Sequence, residues 1–256
     1  MSGGRLEFGA GRGSFTSNYR GYQLAMGESR ERFAEGLEFI RQAWLQPSLT
    51  FEGKFFRAAG IEVIPKPLQQ PHPPIWIAAN SPATFSAAGS FGFPIFAAAG
   101  VNPPNLLEGR LDLYRRAAAE ANHPIPDDWF AYQMMVFPGR DPRRVREIVE
   151  PSMRHYMEVT TGLLEPQSQS PEHVAQLEKI KKRMLSTSYE SIAAQTALFG
   201  EPASCVERII ELQEKFGVTR IGCWFEFGGL KGHREVVDSM RLFAAEVMPH
   251  FSDSIS

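Results

Sequence analysis

Asn80-Ser81-Pro82-Ala83-Thr84 is where the chain is best equipped to hold a ligand. The run before it, Ile75-Trp76-Ile77-Ala78-Ala79, reads as a compact apolar strand of the buried, parallel type. Ser81 is a good helix cap and Pro82 a good first helical residue. A helix starting there aims its first-turn amides at one spot, beside the hydroxyls of Ser81 and Thr84, which suits a phosphate. A capped helix with no ligand is the plain alternative. Gly11-Arg12-Gly13-Ser14 is a second candidate. Glycines let a ligand approach the backbone, and Arg12 can make a forked contact with phosphate. The segment fits neither the dinucleotide pattern G-x-G-x-x-G nor a P-loop, so an ordinary turn competes with that reading. Arg30 puts a cation at a helix start, where the helix dipole disfavours it. It points either to an anionic partner or to a solvated side chain.

Other chemistries find no residues. Histidines 72, 123, 155, 173, 233 and 250 lack metal-ligand spacing, so no metal site is assigned. Neither Cys205 nor Cys223 has a nearby histidine to make a thiolate nucleophile, and no serine lies in a G-x-S-x-G elbow. No acid/base pair stands out, and the catalytic residues stay unassigned. Anion sites without a protein nucleophile suit chemistry carried by a bound cofactor.

The elements that must position these residues alternate between strand and helix. Strands are predicted near residues 6, 75, 94, 130 and 221. A polar loop is expected from the glycine turn to Glu28. A helix follows from Ser29, read as its cap, with Phe33, Leu37, Ile40 and Trp44 on one face. Phe51 to Phe56 reads as a hairpin turning at Glu52-Gly53-Lys54, and Pro65 to Pro74 as an extended connector. The helix at Ser81 is expected to end at Gly89 and Gly92, and Asn105 to cap the next one. Trp129 to Phe137 reads as a strand, and Asp141-Pro142 as the start of a helix with a possible kink at Pro151. Residues 160–172, rich in Ser, Gln, Pro and Thr, are expected to form a mobile loop. Helices at 171–185, 202–216 and 233–248 complete the pattern, which is that of an α/β protein with a parallel sheet.

Composition agrees. A length of 256 residues matches the roughly 250 of a (β/α)₈ barrel. With 27 Lys+Arg against 29 Asp+Glu the net charge is −2, so neither nucleic acid nor an anionic membrane is expected as a main partner. No apolar run approaches the ~18–20 residues of a membrane span, and the start does not read as a secretory signal. Two cysteines cannot make a disulfide framework, and a reducing cytoplasm is the expected location.

Several segments, in order, resemble the flavin-dependent luciferase-like monooxygenases. They are Arg5-Leu6-Glu7-Phe8-Gly9-Ala10-Gly11-Arg12-Gly13, Ser29-Arg30-Glu31-Arg32-Phe33-Ala34-Glu35, Phe51-Glu52-Gly53-Lys54-Phe55, and Pro65-Lys66-Pro67-Leu68-Gln69-Gln70-Pro71-His72-Pro73-Pro74-Ile75-Trp76. Phe225-Glu226-Phe227-Gly228-Gly229, Ser239-Met240-Arg241-Leu242-Phe243 and Val247-Met248-Pro249 resemble the family's C-terminal end. The resemblance implies one luciferase-like domain over residues 1–256, a (β/α)₈ TIM barrel that is incomplete, with strands 4 to 8 present. The three absent βα units would be roughly 90 residues at about 30 per unit.

It further implies that reduced FMN, supplied by a separate flavin reductase, binds at the C-terminal strand ends and reacts with O₂ through a C4a-peroxide to oxygenate a small organic substrate. Arg12, Arg30, Ser81 and Thr84 fall on phosphate contacts, and Gly11, Ala78, Ala79 and Asn80 on positions near the flavin. Tyr156 falls on an aromatic of the substrate pocket, and residues 160–186 on the mobile active-site loop. A homo- or hetero-oligomer is expected. A non-catalytic flavin-binding or partner subunit, and an oxidoreductase using the deazaflavin F420, are the alternatives.

Overall fold

A computed structural model describes residues 2–166 and 170–254. Contacts divide the chain into two compact units, Met1–Ala78 and Ala79–Ser256.

In the first unit, β1 (Phe8–Ala10) leads to a short helix, α1 (Thr16–Gly21), then to the long helix α2 (Ser29–Leu45). The hairpin β2 (Leu49–Glu52) and β3 (Arg57–Ile61) follows, and the unit ends with β4 (Ile75–Ala78). Strands β1 and β4 pair in parallel, Phe8 with Ile75 and Ala10 with Ile77. Ile75, Trp76 and Ile77 are all buried, which is why β4 shows no polar alternation. The Trp76 indole donates to Glu7 at 2.7 Å. On α2, Leu37 and Ala43 are buried, and Trp44 meets Phe8 edge-on with centroids 5.1 Å apart.

The hairpin is tied to α2 by one carboxylate. Glu35 accepts from the backbone amides of Lys54, Phe55 and Phe56 at 3.0, 2.8 and 2.7 Å. Desolvation opposes ionisation, but the amides of Phe56, Phe55 and Lys54, aided by the Arg32 charge, hold the Glu35 carboxyl below its ordinary value.

Two expectations for this unit need correction. The stretch before Ser29 is not wholly a loop, since residues 16–21 coil into α1 and residues 26–28 into a 3₁₀ turn. Ser29 is the first helical residue rather than the cap; it is buried, and its hydroxyl accepts from Arg12.

The second unit begins at the α3 helix (Pro82–Phe91), followed by β5 (Ile95–Ala98), α4 (Pro104–Glu120) and β6 (Phe130–Pro138). Then come α5 (Pro142–Leu163), α6 (Pro171–Leu185), α7 (Tyr189–Gln195) and β7 (Ala197–Gly200). Finally α8 (Pro202–Phe216), β8 (Arg220–Trp224) and α9 (His233–Glu246) lead into a 3₁₀ turn at Met248–Ser254.

Strand β6 is the spine of this unit. It pairs in parallel with β5 (Ile95 with Phe130), with β8 (Ala131 with Arg220) and with β7 (Met135 with Ala197). Phe130, Tyr132, Met134 and Val136 are at most 1% exposed, each large apolar side chain stabilising the fold by roughly 1.5–3 kcal/mol. Gly89 lets α3 sit directly on α4, because a β-carbon there would overlap the Tyr114 carbonyl. Gly89 therefore lies inside α3, and Gly92 alone closes it.

Other boundaries differ from expectation for local reasons. Asn105 is inside α4, which is capped at Pro103. Helix α5 runs through Pro151, with Asp141 capping it by accepting from the Arg143 amide at 2.9 Å. The expected loop at 160–172 is mostly helix where it is described: residues 160–163 finish α5, and α6 begins at Pro171. Gln167, Ser168 and Gln169 lie outside the described residues. Strand β7 and helix α7 were not foreseen.

Candidate cofactor site

The Ser81 backbone is extended (φ −143°, ψ 153°) and Pro82 starts α3, as the sequence requires. The Ser81 hydroxyl makes no capping bond. Instead it lies 2.8 Å from the Thr84 hydroxyl. The amides of Thr84 and Phe85 both turn back to the Ser81 carbonyl, at 2.9 and 3.1 Å. Pro82 has no N–H, so the expected fan of free amides shrinks to that of Ala83. The donor set at this turn is two hydroxyls and one amide, with Ser81 and Thr84 half-buried. Those groups fit a phosphate: all can donate once the two hydroxyls exchange their mutual bond for the anion, and the helix dipole favours negative charge.

Beneath this turn lies a polar network that sequence reasoning missed. Asn80 is exposed, and its Oδ1 accepts from Asn102 Nδ2 at 3.1 Å and from the Ala98 amide at 3.4 Å. Asn102 is completely buried, and its Nδ2 also reaches the carbonyls of Ala79 (3.3 Å) and Ala98 (3.1 Å). Arg110 donates to Asn102 Oδ1 and, at 3.0 Å, to the Val101 carbonyl. The Tyr132 hydroxyl donates to the Asn102 carbonyl at 2.6 Å. Burial lowers the Arg110 pKa, with Tyr132 opposing, and burial raises that of the Tyr132 phenol. The sequence signal for Asn102 was its place between a strand end and Pro103-Pro104, where the side chain substitutes for backbone partners. Ala79 is fully buried and offers no side-chain surface.

In the first unit, Gly11 is exposed and sits against Ala78, whose β-carbon would be 3.1 Å from one placed on Gly11. The Arg12 guanidinium donates to Ser29 Oγ at 3.2 Å, so it is held at the start of α2, where exposed Arg30 is the second residue. Tyr19 donates its hydroxyl to the Arg12 carbonyl. The structure thus brings Arg12 and Arg30 to one helix end.

Tyr156 occupies a different part of the second unit. It stands on α5, half-buried and edge-on to Trp224, with centroids 5.0 Å apart. Trp224 in turn meets Phe227, which stacks on Phe199 at 5.7 Å. This is an aromatic wall with one polar edge, suited to an organic group. Among the described residues no cluster of His, Cys, Asp and Glu could hold a metal, and no helix is long and apolar enough to cross a membrane.

Residues 1–220 match the family model described as luciferase-like monooxygenase. The chain is 23% identical to the alkanal monooxygenase alpha chain of the Kryptophanaron alfredi symbiont, an alignment covering 99% of this chain and 72% of that one. The crystal structure of monooxygenase RslO1 from Streptomyces bottropensis superposes with a TM-score of 0.74 at 24% identity, over 98% of this chain and 70% of that one. The oxygenating constituent of 3,6-diketocamphane monooxygenase from Pseudomonas putida, solved with FMN, gives 0.69 at 18% identity, over 96% and 71%. The fold is accordingly that of the luciferase-like barrels, of which this chain spans about 70%.

Proposed function

The chain belongs to the luciferase-like monooxygenases, and on that footing we propose that it is an oxygenase that uses reduced FMN and O₂ to oxygenate a small organic substrate. The observation that carries the reading is the Ser81–Thr84 hydroxyl pair, released from capping at the start of α3. Relatives whose names or structures include FMN support the choice of cofactor.

In this reading Ser81, Thr84 and the Ala83 amide donate to the cofactor phosphate; for Arg12 and Arg30 of the first unit, phosphate contact is what the family resemblance implies. Ala79 and Asn80 lie toward the rest of the cofactor, Ala79 with backbone only; Gly11 and Ala78, in the first unit, are flavin neighbours by the family resemblance, and Gly11 keeps its backbone accessible. The reduced flavin, when bound, supplies the oxygen-activating chemistry. The chain's own work is to bind, orient and exclude water. Tyr156 and Trp224 wall the substrate's apolar part, and α6 belongs to the covering segment. No side chain is assigned as acid or base.

A separate reductase supplies the reduced flavin; similarity to the oxygenating constituent of a camphane monooxygenase supports this. The chain acts as an oligomer in the cytoplasm. The test is oxygen uptake by the purified chain with reduced FMN and a panel of aldehydes and ketones, with ¹⁸O₂ to follow the transferred atom. Label in a product supports the reading, and flavin oxidation without labelled product contradicts it. A parallel assay with deazaflavin F420 should give no turnover.

A further inference from the structure

The network under Asn80 has a fixed polarity. A guanidinium carries donors only, so Arg110 must face an oxygen. It faces Asn102 Oδ1, which turns Asn102 Nδ2 toward Ala79 O, Ala98 O and Asn80 Oδ1. Reversing Asn102 would set its oxygen against two carbonyls and its NH₂ against the guanidinium. Asn80 must then present Oδ1 inward, where the Ala98 amide also donates to it. Amide orientation is assigned from just such neighbours, and here each step admits one answer. What remains for a ligand is Asn80 Nδ2. Among the described residues no acceptor takes it, and Asn80 is exposed and immediately precedes Ser81.

We infer that Asn102, oriented by Arg110, is a positioning residue that makes Asn80 a hydrogen-bond donor to an acceptor oxygen of the bound flavin nucleotide. The buried position of Asn102, with every polar atom engaged, is what such a role requires: it holds one rotamer and one sense. This rests on the FMN reading above, and adds to it a residue pair that touches no ligand.

The test is a double-mutant cycle on equilibrium FMN binding by the full chain, followed by flavin fluorescence. Asn80→Ala should weaken binding roughly tenfold, the worth of a hydrogen bond at a charged or strongly polar acceptor. Asn102→Leu and Arg110→Met should each weaken it by a similar factor in the parent. Neither should weaken it further in the Asn80→Ala background, although each should still lower the melting temperature there, because Asn102 and Arg110 keep their other buried partners. Losses that multiply, or an Asn80→Ala variant that binds like the parent, overturn the inference while leaving the FMN reading intact. A parent chain that binds no FMN overturns both. Arg110→Met, at a half-buried position, keeps the cycle readable if Asn102→Leu does not fold.

Discussion

Ser81 and Thr84, three residues apart at the start of α3, hold their hydroxyl oxygens 2.8 Å from each other, and the Ser81 hydroxyl does not cap the helix. A helix start normally uses its serine on the backbone. Here the amides of Thr84 and Phe85 are served by the Ser81 carbonyl, and the two hydroxyls meet each other instead of the backbone, one donating and one accepting.

The first prediction is chemical. Ser81→Ala and Thr84→Val should each weaken FMN binding by about 1–3 kcal/mol, as expected when a charged acceptor loses a donor. Riboflavin, which lacks the phosphate, should bind parent and variants alike. Equal losses for both ligands would place the hydroxyls elsewhere than at the phosphate.

Gly228 is the second target. Its φ is +74°, and a β-carbon there would overlap the Ser152 carbonyl of α5. Gly229 also has a positive φ, +68°, but faces open space. Gly229→Ala should cost about 1–2 kcal/mol from backbone strain alone, and Gly228→Ala distinctly more, in urea unfolding. Equal costs would show that the close approach to α5 contributes nothing.

A third prediction concerns the buried amine of Lys231, which lies over the Phe227 ring at 3.7 Å and donates to the Phe227 carbonyl. Burial lowers its pKa below 10.5, with Glu226 opposing. Between that lowered value and the unfolded value of about 10.4, the unfolded chain binds more protons, so stability rises with pH. Below the window both states are charged and the burial cost is carried in full. The stability of the parent minus that of Lys231→Met, from urea unfolding, should therefore grow as pH rises toward 10.5. A difference that shrinks with pH contradicts this.

The cysteines supply a fourth. Burial pushes the Cys205 thiol up to about 12, with the neighbouring Cys223 adding to it, and the Cys223 thiol up to about 11. At pH 7.5 both are overwhelmingly protonated and should react with Ellman's reagent more slowly than free cysteine; urea should release the reaction of buried Cys205, whereas Cys223 is already exposed and is slowed by its raised pKa alone. A fast-reacting native thiol would show a thiolate that the structure does not support.

Much of this architecture was legible from residue order. Ile75-Trp76-Ile77 announced a doubly buried strand because nothing polar interrupts it, and Ser81-Pro82 announced the helix that follows. Strand β7 was not legible: Ala197 to Gly200 is too short for a period to show, and its identity comes from pairing with Met135 to Pro138. The helix start within 160–172 is hidden by a loop-like composition, because what sets it is a cap. Ser170 accepts from the His173 amide and starts α6 inside what looked like loop. The anion turn was readable as residue types, but not the use of its amides, which depends on where the Ser81 carbonyl points. Asn102 and Arg110 were invisible because their roles come from contacts eight and twenty-two residues apart in the chain, with Asn102 reaching Asn80 and Arg110 reaching Asn102.

A phosphate-anchored reduced flavin is at the centre of the proposed function. Anaerobic titration of the purified chain with reduced FMN and with reduced riboflavin, read by equilibrium ultrafiltration, tests it most directly. Saturable one-to-one binding of reduced FMN, at least tenfold tighter than reduced riboflavin as expected for a charge-assisted anion site, is the predicted result. No saturable binding, or equal affinity for the two flavins, would contradict it.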